Sequence, residues 1–402
     1  MRLVGRAAAV VTAAGLASAV YQKVSEARDR RRYPPPGRLV DIGGRRLHVV
    51  SRGEGTPVVV IIPALADNVL QWLSIAADAA AETQAIVYDR AGVGWSDPPP
   101  RWRRTPDLMA ADLHAMLHAA DFQPPYVLAG HSIGGIVARR FCVRHPDEVA
   151  GILLIDSSHE GQASRFDAAD WRKGTVGYIR VMARRQARIL GARRLADSLG
   201  LMPSIEDDVA REAPPERADP ARAIILSTRQ RRTMVREMFM MVRLREAPPD
   251  LGSVPLAVLT RASSAESEWS AWAQMQGELA ALSSDSVHIH AEKGGHYLQR
   301  DEPDLVIRAI RDLVRRCHAN ALPNPGGMTP SPGCEIPRSA PRSPVMGASV
   351  PADAPRRCSC QVARETESRH VRVPCDPERP LRGSLGLPGF LIALLVALIL
   401  EL

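Results

Sequence analysis

Two side chains in this sequence have the types and settings that nucleophilic chemistry requires. Gly130-His131-Ser132-Ile133-Gly134 matches the pattern G-x-S-x-G, in which a sharp bend between a strand and a helix pushes a serine outward. The apolar run Tyr126-Val127-Leu128-Ala129 supplies a strand before the bend, and an apolar helix over 132–145 follows it. Such a bend strains the serine's backbone and brings neighbouring chain segments close, so small residues are needed at the contact points. Gly130, Gly134 and Gly135 stand there. A hydroxyl is a poor nucleophile until a base removes its proton as the new bond forms. Of the 11 histidines, His296 is the best placed to be that base, because Gly294-Gly295-His296 follows the last expected strand and precedes a helix led by Pro303. His131 neighbours the serine but is expected to point away, and His159, His288 and His290 read as structural or solvent-facing.

The elements that must hold these groups alternate between strand and helix, the arrangement of a mostly parallel sheet covered on both faces. Leu39–Ile42 and Arg46–Val50 flank Gly43-Gly44, a hairpin signal because glycine accepts positive φ. Short apolar runs at Val58–Ile62, Ala85–Tyr88, Tyr126–Ala129, Gly151–Ile155, Pro255–Thr260 and Val287–His290 predict the remaining strands. Helices are expected over 67–81, 106–120, 132–145, 266–282 and 303–316, with His145-Pro146 stopping the third. A helical, arginine-rich stretch separates Ile155 from Pro255. It is too long for a simple crossover and reads as an inserted cap over about 157–250. Within it Met234, Met238, Met241 and Val242 share one helix face, as core packing or as a flexible lining for an apolar ligand.

The G-H-S-x-G-G elbow, Asp89-Arg90-Ala91-Gly92-Val93-Gly94-Trp95-Ser96, His145-Pro146-Asp147 and the late Gly295-His296 together resemble the α/β-hydrolase superfamily, and most closely its bacterial esterase-like members. The resemblance covers roughly residues 38–316. It implies an α/β fold with a mostly parallel eight-stranded sheet, helices on both faces, a helical cap after strand six, and the catalytic order serine, acid, histidine. In this superfamily the acid usually follows strand seven, but Thr260-Arg261-Ala262-Ser263-Ser264 has no Asp there. Some lipase-like members carry it after strand six, which favours Asp156 over Glu266 and Glu268 at the start of the next helix. An aspartate ending a buried strand has a plainer use as well, binding loop amides. Acyl transfer also needs two backbone N–H groups aimed at the developing oxyanion. Ile133 supplies one by position, and Leu65, in a Pro63-Ala64-Leu65-Ala66 loop where the superfamily commonly has His-Gly, is assigned the other. Asp89 and Arg90 are read as braces for loops, and Trp95 as lying near the pocket mouth.

These residues point to a serine hydrolase that cleaves a carboxylic ester or related small acyl substrate through an acyl-enzyme, with no cofactor or metal. Serine at the elbow argues against the dehalogenases and epoxide hydrolases of similar fold, which use Asp. A carbon–carbon bond or lactone hydrolase on the same three residues is compatible with the motif. So is a catalytically weak, receptor-like member, for which the unusual acid and oxyanion loop speak. The formal net charge of +8 stands beside no nucleic-acid motif, and the six cysteines form no C-x-x-C pair, so nucleic acid and a zinc or disulfide framework are not expected. Outside the body, residues 1–37 hold an Ala-rich apolar run ended by Arg28–Arg32, a candidate signal or membrane anchor. The body runs over 38–318. Residues 319–383 are rich in Pro, Arg and Ser and are expected to be disordered, and the apolar segment 384–402 is a candidate tail anchor. Membrane association through these ends, or else a cytoplasmic location, is the expectation.

Overall fold

Short runs of Val, Ile and Leu suit strands covered on both faces, because successive side chains point to opposite sides of the sheet and both sides are apolar. The computed structural model describes residues 2–100, 104–165, 215–262 and 267–321. Its strands are β1 (Arg38–Asp41), β2 (Arg46–Arg52), β3 (Val58–Ile62), β4 (Ala85–Tyr88), β5 (Tyr126–His131), β6 (Val149–Ile155), β7 (Leu256–Thr260) and β8 (Ser286–His290). They make one sheet in the order β1-β2-β4-β3-β5-β6-β7-β8, with β2 antiparallel to β1 and β4 and every other pairing parallel. The fold is that of the α/β hydrolases.

The alternation divides the core in two. Val58, Val60 and Ile62 of β3, with Tyr126 and Leu128 of β5, face a cluster that includes the helices α3 (Pro106–Ala119) and α4 (Ile133–Arg144). Val59, Ile61, Val127 and Ala129 face the opposite cluster, built on α2 (Leu73–Ala79) and the helix Pro303–Ala321. Between β1 and β2 the chain turns through Gly43 at φ 92° and Gly44 at φ 84°, whose N–H groups both donate to Asp41 Oδ1 at 2.9 Å. The expected helix over 67–81 is shorter: a 3₁₀ turn at Val69–Gln71, capped by Asn68, precedes α2.

At the amino end, α1 spans Arg2–Arg32, and its second half packs on the segment between β6 and β7. Gln22 and Ser25 are buried there. Gln22 Nε2 donates to Leu226 O at 2.7 Å, and Glu26 Oε1 accepts from the Thr228 amide at 2.6 Å. These contacts tie the charged half of α1 to the body, and the expectation of a membrane anchor is corrected by the helix's composition. Among the described residues, no helix is long and apolar enough to cross a membrane. The physical reason is that the Ala-rich run, already interrupted by Arg6, continues as the same helix into a charged half ending in Arg30, Arg31 and Arg32. Membrane association through the apolar termini therefore loses its support at this end. The other candidate anchor, 384–402, lies outside the described residues, as does the stretch 322–383, for which disorder is the expectation.

The segment between β6 and β7 is described over residues 156–165 and 215–255. It contains the helices Ala218–Ile225 and Thr228–Arg243, and on the second of these Met234, Met240 and Met241 are buried. At its start Glu160 meets Arg139 of α4 in a fully buried bidentate pair, Nε to Oε1 at 3.1 Å and Nη2 to Oε2 at 2.8 Å. Arg139 also donates to Ser157 Oγ at 3.0 Å and to Ser158 O at 2.8 Å. Removing one member of a buried pair leaves the other charged and unsatisfied. Glu160→Ala is therefore expected to cost about 3–5 kcal/mol in denaturant unfolding, whereas Arg139→Met with Glu160→Leu recovers most of that loss. A single substitution costing under about 1 kcal/mol, the range of an exposed pair, shows that the pair is not buried as described.

Candidate active site

Ser132, Asp156 and His296 all lie beyond the carboxyl ends of parallel strands, where ligands bind in open sheets of this kind. Ser132 joins β5 to α4 with φ 53° and ψ −119°, a left-handed region that a non-glycine residue enters only under constraint. The bend closes because side chains are missing around it. A Cβ on Gly130 would come within 2.6 Å of the Gly134 and Gly135 backbone, and one on Gly134 would sit 2.1 Å from Ile62 O. Hydrogen bonds then lock the turn: the Ser132 amide donates to Ile155 O at 3.1 Å, and the Ser132 carbonyl accepts from the amides of Gly135 and Ser158 at 3.0 Å each.

One strand further along, Asp156 follows β6 with φ 39° and a fully buried side chain. His296 Nδ1 lies 2.6 Å from Asp156 Oδ2, so the imidazole donates from Nδ1 and keeps its lone pair on Nε2. The loop that presents His296 is wound around two carboxylates. Glu302 accepts from the amides of Lys293 and Gly294 at 2.8 and 2.5 Å, and Asp301 accepts from Gly295 N at 3.0 Å. His131 does not point away from the site. Its Nε2 donates to His296 O at 2.7 Å, and the two rings lie 4.8 Å apart, because the alternation that turns Val127 and Ala129 to the face covered by the helix Pro303–Ala321 turns His131 to that face as well. The remaining acid candidates are not placed: Glu266 and the side chain of Glu268 lie outside the described residues.

Sequence reading missed the residue that stands where the superfamily's usual acid would be. Arg261, just after β7, turns its guanidinium to Asp156, with Nη2 2.7 Å from Oδ2, while its own amide donates to Oδ1 at 3.2 Å. Trp272 Nε1 donates to Asp156 Oδ1 at 2.8 Å, and Arg261 Cζ lies 4.5 Å from the Trp272 ring centroid. Asp156 Oδ2 therefore accepts from an imidazole and a guanidinium together. The 3.2 Å approach of Arg261 Nη2 to His296 Nδ1 is a meeting of two donors on one oxygen. Burial alone would raise the Asp156 carboxyl, but the hydrogen bond and charge of His296, with Arg261 and Trp272, outweigh it and hold the group below its ordinary range. His296 is pushed down to about 4, mostly by burial, with the nearby His131 and Arg261 adding to the effect against the pull of Asp156. The absence of an Asp after β7 is plain in the sequence, and the signal left unread was the Arg261 that stands in the same run.

Ser132 Oγ lies 3.3 Å from Ser158 Oγ, and the serine makes no hydrogen bond to His296. Contacts of this kind are often loose until substrate is bound. As the first residue of α4, Ile133 has no intrahelical acceptor for its N–H. The loop carrying Leu65 abuts that helix end, since a Cβ on Gly134 would also meet Pro63 O at 3.0 Å. Arg90, fully buried, donates to Pro63 O and, at 2.9 Å, to Ala64 O. It also pairs with Glu237 of the helix Thr228–Arg243 at 2.8 Å. Burial would lower the guanidinium, but the Glu237 carboxylate holds it above its ordinary range. Asp89 accepts from the amides of Val69 and Trp95 at 2.9 and 3.0 Å. Both members of the Asp89-Arg90 pair thus brace loops, and Trp95 Nε1 donates to Tyr33 O at 3.0 Å.

Comparison with known proteins agrees with this architecture. A family model described as "alpha/beta hydrolase fold" matches residues 57–236. "Uncharacterized protein YqjL" of Bacillus subtilis is 24% identical over 279 residues, which are 68% of this chain and 89% of that protein. An "AB hydrolase superfamily protein" of Gibberella zeae is 24% identical over 295 residues, 64% of this chain and 86% of its own length. Among solved structures, a thermophilic esterase from Thermogutta terrifontis superposes with a TM-score of 0.50 at 24% identity, covering 70% of this chain and 99% of that one.

The charges around His296 give a sign that can be measured. Burial and the adjacent guanidinium both disfavour imidazolium, so the ring stays neutral to lower pH than a free histidine. NMR titration of the His296 imidazole is expected to give a midpoint well below the ordinary 6.5. In Arg261→Gln, with one cation removed, the midpoint moves upward. A wild-type midpoint at or above 6.5, or one unmoved by the substitution, contradicts the arrangement.

Proposed function

From the premise that the chain belongs to the α/β-hydrolase superfamily, we propose that it is a serine hydrolase acting on a carboxylic ester or related acyl compound. The observation that carries this reading is the 2.6 Å His296–Asp156 pair next to a serine held at φ 53° on a glycine-lined bend. The imidazole Nε2 is the group that takes the proton of Ser132 Oγ as that oxygen attacks the acyl carbonyl. The carbonyl oxygen becomes an oxyanion and is met by the amides of Ile133 and Leu65. Collapse expels the alcohol, which receives the proton from His296, and leaves an ester on Ser132. A water molecule deprotonated by His296 then attacks that ester and regenerates the serine. Asp156 keeps the imidazole in the Nδ1–H tautomer and offsets the charge that forms on it. In this scheme residues 157–165 and 215–250 belong to a cap over the acyl group, and the rest of the cap expected over about 157–250 lies outside the described residues.

A second reading, a ligand-binding member with little turnover, draws on two observations: the Ser132–Ser158 hydrogen bond and the claim of Arg261 on Asp156. Labelling separates the two. A fluorophosphonate is expected to modify the wild type and not Ser132→Ala, and p-nitrophenyl esters of graded chain length are expected to be hydrolysed by the wild type alone. Asp156→Asn lowers kcat by about 10⁴-fold if the acid sets the tautomer, while Glu266→Gln and Glu268→Gln leave it unchanged. An inert Ser132 favours the receptor reading, and a loss confined to a Glu variant moves the acid to the region after β7.

A further inference from the structure

A second cluster of chemistry-bearing side chains lies at the other end of α4. His114 and His118 stand one turn apart on α3, at the i, i+4 spacing that puts two imidazoles on one face. Opposite them, His145 ends α4, and Glu148 closes the 3₁₀ turn Pro146–Glu148 that leads into β6. Glu148 Oε1 is 3.1 Å from His114 Nε2 and 3.3 Å from His118 Nε2. The His114 and His145 rings stack with centroids 3.7 Å apart. Ligand atoms of His114, His145 and Glu148 all lie within 4.8 Å of one another.

We propose that His114, His118, His145 and Glu148 form a binding site for a divalent transition metal of the zinc class, which ties α3 to the turn between α4 and β6. Distances support this occupant. Two ligands about 2.0–2.1 Å from a tetrahedral metal are about 3.3 Å apart, the same separation that Glu148 Oε1 keeps from the two α3 imidazoles. The donor set, imidazoles with one carboxylate, suits Zn²⁺, Ni²⁺ or Cu²⁺ and is poor for Mg²⁺ or Ca²⁺. Metal ligation needs neutral imidazole. His145 must unstack from His114 to turn its lone pair inward, a side-chain rotation that its partial exposure allows. The role is structural: α4 has 12 residues and is about 18 Å long, so the cluster lies far from Ser132.

The probe is Zn²⁺ added to chelator-treated full-length protein whose accessible cysteines have been alkylated, with binding read by equilibrium dialysis. Wild type is expected to bind one more equivalent than either His114→Ala or His145→Ala, and to gain several degrees in Tm that these variants do not. His118→Ala, at an exposed position, gives a weaker site in a chain whose folding is not in question. His290→Ala, on the pair formed with His288 in β8, keeps the wild-type stoichiometry, and ester hydrolysis is the same in all. Equal stoichiometry in wild type and His114→Ala overturns the proposal, as does a loss of the equivalent in His290→Ala instead.

Discussion

The whole site depends on one backbone conformation. A serine in the left-handed region is disfavoured on its own, and it persists at Ser132 because its surroundings leave no alternative path from β5 into α4. Three glycines let β3, α4 and the start of the next segment approach within distances that any Cβ would block. The same closeness brings the Ile133 amide, at a helix end with no acceptor of its own, next to the loop after β3. The Ser132 bend, the Ile133 amide at the helix end and the loop after β3 are thus consequences of a single steric constraint, and a substitution at Gly134 disturbs all three at once.

How the acid is held gives this chain its own character. A carboxylate that serves an imidazole alone favours the charged ring and so strengthens the base. Here the same oxygen also serves Arg261, so part of the negative field is spent on a cation that never titrates. Trp272 fixes the other oxygen and lies against the guanidinium, leaving Asp156 little freedom to turn. The result is a rigidly held Asp156 beside an imidazole of lowered proton affinity.

Much of this was legible in the sequence, and the parts that were not share a cause. Strand runs, the glycine-flanked serine and the late Gly-His are local patterns, and local patterns survive translation into three dimensions. The pairing of Asp156 with His296 could be favoured only by family resemblance, because it joins residues 140 positions apart. Arg261 was seen as a missing acid and not as a replacement cation, since nothing in one strand reveals what reaches it from the next. His131 was misread for the same reason: its partner is a carbonyl from a distant loop. At the amino end, apolar composition suggested a membrane, but the apolar run is too short and too interrupted to cross one and continues into a charged half whose Gln22 and Glu26 bond to the segment between β6 and β7.

Two buried arginines show how the segment between β6 and β7 is made part of the site. Arg90 donates to the carbonyls of Pro63 and Ala64 on one side of Ser132, and Arg139 to the carbonyl of Ser158 on the other. Neither cation could stay buried without a counter-charge, and in both cases that segment supplies it, as Glu237 and Glu160. The loop bearing the Leu65 amide, and Ser157 and Ser158 beside Ser132, are therefore held by charges that exist only when the segment between β6 and β7 is in place. Gln230 adds a third link, donating to Ala66 O at 2.7 Å while accepting from Gly94 N. A segment that only covered its neighbours could be exchanged freely, whereas one that neutralises the arginines around Ser132 cannot move far without releasing the loops that flank that serine.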